Sequence, residues 1–172
     1  MLPRTFRAVL SEAEQAQHVS REAGKQLASA GLTGPFLRDR ARSGPAIPIR
    51  DAHGALHSWF VPVLVEDQLA GFFRVDPDGR HWSWSSFQRR PDTLGGCPAA
   101  NLWFDLDAIR QRALSLAQAN EVAQTPQLSF DRIPDRLAWR VRLQAPSGEW
   151  RDVFVAGSAV WPASSEEINS YE

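Results

Sequence analysis

Residues 137–143 read Leu-Ala-Trp-Arg-Val-Arg-Leu, and this stretch decides the fold class. Apolar side chains occupy its odd positions, and Arg140 and Arg142 alternate with them. Successive side chains of a strand point to opposite faces of its sheet, so one face of this strand is buried and the other meets solvent. The pattern therefore predicts a half-buried strand in an antiparallel sheet.

The same pattern occurs in the first half of the chain. Sliding the second half back over the first at one constant offset places Trp139 on Trp59 and Val141 on Val61. Both halves read as strand, turn, strand, turn and strand, and an amphipathic helix precedes each. We interpret this as a degenerate internal duplication. The alternative is two similar sets of hairpins without a common origin in a tryptophan-rich chain.

The first predicted helix begins with a capping box. The Ser11 hydroxyl can accept from the third amide of the helix while Glu14 reaches back to the cap. Apolar residues then recur at spacings of three and four, which predicts a helix over about residues 12–30. Val19 and Leu27 lie on its apolar stripe, so we expect both in the core.

The second predicted helix covers residues 106–119 and begins at Asp105 or Asp107, either of which suits the cap. Ile109 and Leu116 lie on its apolar stripe, and we expect them in the core together with the tryptophans and valines of the two matching strands. Helix capping also accounts for this pair of acids without any acid–base chemistry.

Together these elements predict an α+β protein of two tandem units, each a helix packed on an antiparallel β-meander. The first unit covers residues 1–88, a hinge rich in glycine and proline follows over 89–101, and the second unit covers 102–163. Residues 164–172 read as a frayed tail. We expect the two units to pack as one body.

Composition limits the classes of function. The chain has 172 residues, 43% of them hydrophobic, with a formal net charge of −1. Such a chain buries a core without a cofactor and has no overall field that attracts nucleic acid, so we expect no cofactor and no nucleic-acid partner. The single cysteine, Cys97, excludes an intramolecular disulfide, and no apolar run is long enough to span a membrane. We therefore expect a cytoplasmic protein.

The order of the motifs carries a resemblance to known families. Ser11-Glu12-Ala13-Glu14-Gln15-Ala16 opens a helix, and a Trp-x-Val strand, an apolar strand ending in valine and a turn with glycine follow. In the second unit the turn is Ala156-Gly157. This order resembles the PepSY and cystatin-like families, and also the prodomains of streptopain-type cysteine peptidases. The resemblance implies two tandem cystatin-like units and a peptidase-associated binding role.

Two basic segments with aromatic residues are the predicted partner-binding surface. Arginine and aromatic side chains are the usual anchors of protein interfaces, and both segments lie outside the helical stripes. The residues are Phe36, Arg38, Arg40, Arg42, Arg80, Trp82, Trp84, Phe87, Arg89 and Arg90. We expect a non-enzymatic module that binds a protein or peptide, as an inhibitor, immunity protein or adaptor. The alternatives are that Trp82 and Trp84 belong to the core and that the arginines merely solvate loops.

The rival function is a small-ligand-binding or enzyme domain with a pocket on the concave face of a sheet. Cys97 is a candidate nucleophile, and the proline after it removes an amide donor near any oxyanion. His53, His57 and His81 are candidate metal ligands with Asp51 or Asp78, but strand geometry separates the first two. We therefore predict no catalytic residue, no metal site and no cofactor.

Overall fold

The computed structural model describes residues 10–163, and the predicted tail at 164–172 lies outside them. The helices of this range are α1 (Glu12–Ser29), α2 (Pro35–Arg40), α3 (Asn101–Phe104) and α4 (Leu106–Leu114). The strands are β1 (Arg42–Ser43), β2 (Ile47–Arg50), β3 (Leu56–Val65), β4 (Gln68–Val75), β5 (Trp82–Ser86), β6 (Val122–Ala123), β7 (Gln127–Phe130), β8 (Leu137–Gln144), β9 (Trp150–Ala156) and β10 (Ala159–Pro162). They form two antiparallel sheets of five strands, sheet A from β1–β5 and sheet B from β6–β10. The α+β prediction is confirmed.

The two sheets have the same topology, and the pairing of β3 with β4 up to Val63 has the same register as the pairing of β8 with β9. Trp59 of β3 pairs with Val75 of β4, and Trp139 of β8 pairs with Val155 of β9. The edge beside the long strand is interrupted at matching positions, since β1 and β2 lie end to end along β3 as β6 and β7 do along β8. Both pairs of partners match at the constant offset of the sequence comparison, which is what an internal duplication predicts.

The interruption in sheet A accommodates a proline in an interior strand. Pro62 of β3 has no N–H, and its carbonyl accepts from the Gly44 N–H at 2.8 Å. Gly44 lies in the gap between β1 and β2, where the reciprocal bond from residue 62 to the Gly44 carbonyl is absent and the ladder is interrupted. A Cβ atom on Gly44 would stand 2.7 Å from Pro62 Cγ, so the close approach needs glycine.

Helix α1 covers one face of sheet A. Its capping box is present, because the Ser11 N–H donates to the Glu14 carboxylate at 2.7 Å and the Glu14 N–H donates to the Ser11 hydroxyl at 3.3 Å. Val19 and Leu27 are buried against Trp59 and neighbouring residues, as predicted. Within residues 10–163, none of the helices combines the length and hydrophobicity that a membrane-spanning segment requires.

The second core is shared between the sheets. It joins Phe60, from the face of sheet A opposite α1, with Ile109 of α4 and Trp139 of β8. Helix α3 contributes as well, since the Trp139 indole N–H donates to the Trp103 carbonyl at 2.6 Å and Phe60 lies 6.2 Å from Phe104 between ring centroids. Each unit thus completes its core with residues of the other.

The second helix is shorter than predicted. Asp105 caps it, because its carboxylate accepts from the Ala108 N–H at 2.9 Å, but the helix ends at Leu114. Leu116 is 37% exposed, so the prediction that it lies in the core is wrong. It lies in the turn that follows the helix, where its carbonyl accepts from Arg151 at 2.5 Å.

The two core tryptophans allow a matched stability test. Trp139 donates an indole hydrogen bond, whereas the buried Trp59 Nε1 has no acceptor among the described residues. Trp139→Phe should therefore lower the free energy of unfolding by about 1 kcal/mol more than Trp59→Phe, since only the former breaks a buried bond. Urea unfolding of both variants measures this, and an equal or reversed ranking would contradict the hydrogen-bond assignment.

Candidate functional site

An open cleft of about 630 Å³ lies where the edge of sheet B is interrupted. Its walls come from the turn after β2, the segment between β6 and β7, β8 and α4. The polar residues that line it include His53, Arg110, Gln124, Gln127, Arg140 and Arg142. We call it the arginine cleft, because three guanidinium groups and no carboxylate line it.

Arg140 is the buried member of the arginine cleft, with 7% of its surface exposed. Its Nη1 donates to the carbonyls of Asp51 and Ala52, both at 3.1 Å, and its Nη2 donates to Gln127 Oε1 at 3.2 Å. Burial lowers the pKa of this guanidinium, and it stays charged because an arginine cannot be deprotonated in a protein. Its hydrogen-bond partners are neutral, and the nearby carboxylates of Asp152 and Asp51 act on its charge only through space, without an ion pair.

Arg142 and Arg110 carry the other two charges of the cleft. The Arg142 guanidinium lies 3.6 Å from the centroid of the Trp150 ring, and its Nε stands 3.4 Å from the Asp152 carboxylate. Arg110 is exposed on α4 and forms no ion pair or hydrogen bond among residues 10–163. Two of the three arginines therefore have no carboxylate partner in this part of the chain.

A second candidate surface is the free edge of sheet A. Strand β5 is the last strand of the sheet. The Phe87 N–H, just after the strand, donates to the Ala70 carbonyl at 2.9 Å, so the backbone groups of Phe87 and of every second residue before it face β4. Antiparallel strands direct the backbone groups of alternate residues to opposite sides. The N–H and C=O groups of Trp82, Trp84 and Ser86 therefore point away from the sheet. We call this row the β5 edge.

Arginines stand at both ends of the β5 edge. Arg80 precedes the strand, with its Nε 3.3 Å from the Asp78 carboxylate. Arg89 and Arg90 follow it and are exposed, and no acid of the described range pairs with them. The edge thus offers unpaired backbone groups beside the positive charges of Arg89 and Arg90, while Arg80 at its other end is paired within an acidic turn.

The predicted aromatic residues of this segment pack against the cores. The rings of Trp82 and Trp84 lie 5.7 and 5.2 Å from that of Phe73, and Phe87 lies 5.9 Å from Trp103. The Trp82 indole N–H donates to the Gly79 carbonyl at 3.1 Å. All three predicted residues are half-buried, so this segment presents mainly backbone and arginine to a partner.

The other predicted segment lies elsewhere on sheet A. Phe36 is half-buried, and the Arg40 guanidinium lies 5.0 Å from its ring centroid. Arg38 is paired with Asp39 at 2.6 Å. Arg42 is in β1, at the edge opposite β5. The structure therefore does not join the two predicted segments along one edge.

The histidines considered as metal ligands do not meet. The group that comes together within residues 10–163 is Asp76, Asp78 and His81, whose ligand atoms lie within 4.8 Å of one another on an exposed turn. His57 instead contacts the Ser58 hydroxyl at 3.1 Å, and His53 lines the arginine cleft. An exposed acidic turn of this kind is common without an ion.

A smaller aromatic cleft lies on the face of sheet A opposite α1. Its volume is about 300 Å³, and aromatic rings dominate its walls. These rings belong to Phe60, Phe72, Phe87, Trp103 and Trp161. Its position on a sheet face corresponds to the pocket that the rival function requires.

Reasoning from the sequence missed the arginine cleft. It treated Arg140 and Arg142 as the solvent-facing half of a strand, and it gave Arg110 no role. The signal lies in the alignment of the two halves, because the matching positions of the first unit are Phe60 and Pro62. A charged residue in place of an apolar one at an equivalent strand position indicates that this face of the sheet does not pack in a core and is available for another role.

Comparison with known proteins gives no family. No protein-family model matches the chain. No curated protein and no solved structure is significantly similar to it either. The function is therefore inferred from the geometry of the chain itself.

The thiol of Cys97 is expected to be unreactive. Burial raises its pKa, and the side chain packs beside Leu94 in the α1 core. Alkylation by iodoacetamide at pH 8 should be slower in the folded protein than in the same chain in urea, because the thiolate is the nucleophile. Cys97→Ser should leave partner binding intact. Fast alkylation, or loss of binding at unchanged stability, would instead establish a thiol function.

His57 should make stability depend on pH. Burial and then the Arg74 charge lower the pKa of its imidazole, while Asp51 and Asp76 oppose the shift. The unfolded chain therefore takes up this proton at a higher pH than the folded protein, and stability falls as pH drops below about 6.5. An NMR titration should place His57 below that value, and His57→Gln should flatten this part of the stability curve. A titration at or above 6.5 would refute the assignment.

Proposed function

We propose that the protein is a non-enzymatic binding module that recognises an acidic, extended segment of a protein partner along the β5 edge. The observation that carries the proposal is the row of outward backbone groups between Arg80 at one end and Arg89 and Arg90 at the other. An extended peptide can add to such an edge through main-chain hydrogen bonds. The charges of Arg89 and Arg90, which have no acidic partner in the described range, select acidic side chains at that end of the edge.

The other free edge is a poorer template. Strand β10 ends sheet B, and its residue Pro162 occupies a position whose backbone nitrogen points outward. Proline has no N–H to donate, and natural edges are blunted in this way. The edges at β2 and β7 face each other, and the Ser129 hydroxyl of β7 donates to the Arg50 carbonyl of β2 at 2.6 Å. These features favour β5 as the edge to which a peptide strand can add.

An inhibitor, an immunity protein or an adaptor acts by binding its partner, so a binding edge such as β5 is sufficient for each of these roles. The resemblance to PepSY, cystatin-like and streptopain-prodomain families agrees with a partner related to peptidases, and we keep it as part of the proposal. The proposed setting is the cytoplasm, because a chain with one cysteine needs no oxidising compartment. We propose that the basic segment Arg38–Arg42 makes a second contact with the same partner.

The rival candidate is a small-ligand-binding domain. The aromatic cleft favours it, because ligand sites are concave and lined by apolar and aromatic side chains. Stacked rings such as Phe60 and Phe72, whose centroids are 4.6 Å apart, suit a flat or apolar ligand. This function would leave the β5 edge without a role.

Capture experiments with matched variants test the proposal. The full chain, a triple variant (Arg80→Glu, Arg89→Glu, Arg90→Glu) and Ser86→Pro serve as baits in native cell extract, followed by mass spectrometry. Ser86→Pro removes one outward N–H and no backbone ladder bond, together with the contacts of the Ser86 hydroxyl to the Ala70 carbonyl and the Gln88 N–H. The captured protein should bind both variants at least about tenfold more weakly, and its affinity should fall as salt rises.

The control is Arg38→Glu with Arg40→Glu, a charge reversal at the other predicted segment. If this variant loses the partner while the β5 variants bind it normally at low salt, the β5 edge is the wrong surface. If no protein is enriched and a small molecule in the aromatic cleft accompanies the purified chain, the rival function is correct. Circular dichroism and thermal unfolding confirm that every variant is folded.

A further inference from the structure

The face of sheet B that is turned away from α4, which we call its outer face, carries Arg140 and Arg142. It differs from the matching face of sheet A. Positions Phe60 and Pro62 of β3 correspond to Arg140 and Arg142 of β8 in both sequence spacing and strand register. In sheet A this face contributes to the core shared with α3 and α4. In sheet B the same positions carry two guanidinium groups beside an open cleft. We infer that the arginine cleft binds a multiply charged oxyanion of the phosphate class.

The buried guanidinium of Arg140 has unused donors. Arginine has five N–H donors, and the bonds to Asp51, Ala52 and Gln127 use two on Nη1 and one on Nη2. The Nε–H and the second Nη2–H have no acceptor in the described range. Charged groups are rarely buried without a partner, since removing a charge from water is costly. A bound oxyanion would supply both the countercharge and the missing acceptors.

The nearest carboxylates do not fill that role. Asp51 Oδ1 already accepts from the N–H groups of His53 and Ala55, both at 2.9 Å, and thereby holds its own turn. Asp152 stands beside Arg142 rather than in the lining of the cleft, and it acts on Arg140 through space without a hydrogen bond. Arg110 on the opposite wall has no acid within the described residues. The residues that line the cleft therefore carry an excess of positive charge.

The chemistry of the lining selects the ligand class. Guanidinium groups bind oxyanions through paired, charge-assisted hydrogen bonds, and several of them together suit a phosphate with its multiple acceptor oxygens. Gln124, Thr125 and Gln127 add neutral polar groups, while the wall residues include little apolar surface. A volume of about 630 Å³ exceeds a single phosphate, so a phosphate ester or a diphosphate fits better.

Inorganic pyrophosphate is the probe for this site. Titration of the full chain at constant ionic strength, followed by 15N-detected NMR of arginine side chains and by calorimetry, should show saturable binding with shifts at Arg140 and Arg142. Arg142→Gln and Arg110→Gln should each weaken the binding by about tenfold, the loss expected for one charge-assisted contact. Both residues are at least partly exposed, so the folded structure should persist.

Controls separate this site from general attraction of anions. Arg38→Gln, outside the cleft, should bind pyrophosphate like the parent, and malonate should bind more weakly than pyrophosphate. The inference fails if binding is not saturable, if Arg38→Gln loses as much affinity as the cleft variants, or if malonate binds as tightly. The β5 variants should bind pyrophosphate normally, so this result is independent of the proposed protein partner.

Discussion

The core shared between the two sheets, centred on Trp139, is the interaction on which the rest of the molecule depends. It uses the face of sheet A opposite α1 and the face of sheet B that meets α4. Apolar burial of this extent is the main favourable term in folding, so each unit is stabilised by the other. The outer face of sheet B lies outside both cores, and for that reason it can carry Arg140 and Arg142.

Polar contacts complete the junction of the units. The Arg140 guanidinium binds carbonyls of the turn after β2, and the hydroxyl of Ser129 binds the Arg50 carbonyl. These bonds bring the edges β2 and β7 together and remove them as sites for further strand pairing. The same geometry creates the arginine cleft beside the junction and leaves β5 as the edge with the fullest set of free backbone groups.

The sequence predicts the strands well because their signals are local. Alternation along β3 and β8 depends on neighbouring residues, and the constant offset between the two halves carries over to the register of β3–β4 and β8–β9. Helix α3 and the two-residue strands β1 and β6 were not predicted, because such short elements depend on tertiary contacts. Leu116 was misplaced because helix α4 ends at Leu114, so the apolar stripe of the predicted helix does not extend to it. The arginine cleft joins residues from both units, which no local pattern indicates.

The pairing of β3 with β4 and that of β8 with β9 follow the same register, and the two sheets differ in the residues on one face. Cross-strand NOEs between Hα protons test it, because residues in non-hydrogen-bonded antiparallel pairs have Cα atoms only about 4.5 Å apart. Phe60 with Arg74, and Arg140 with Phe154, occupy such pairs in the two sheets. We expect strong Hα–Hα NOEs for both pairs. An NOE that joins Arg140 to a different residue of β9 would show a different register and contradict the duplication.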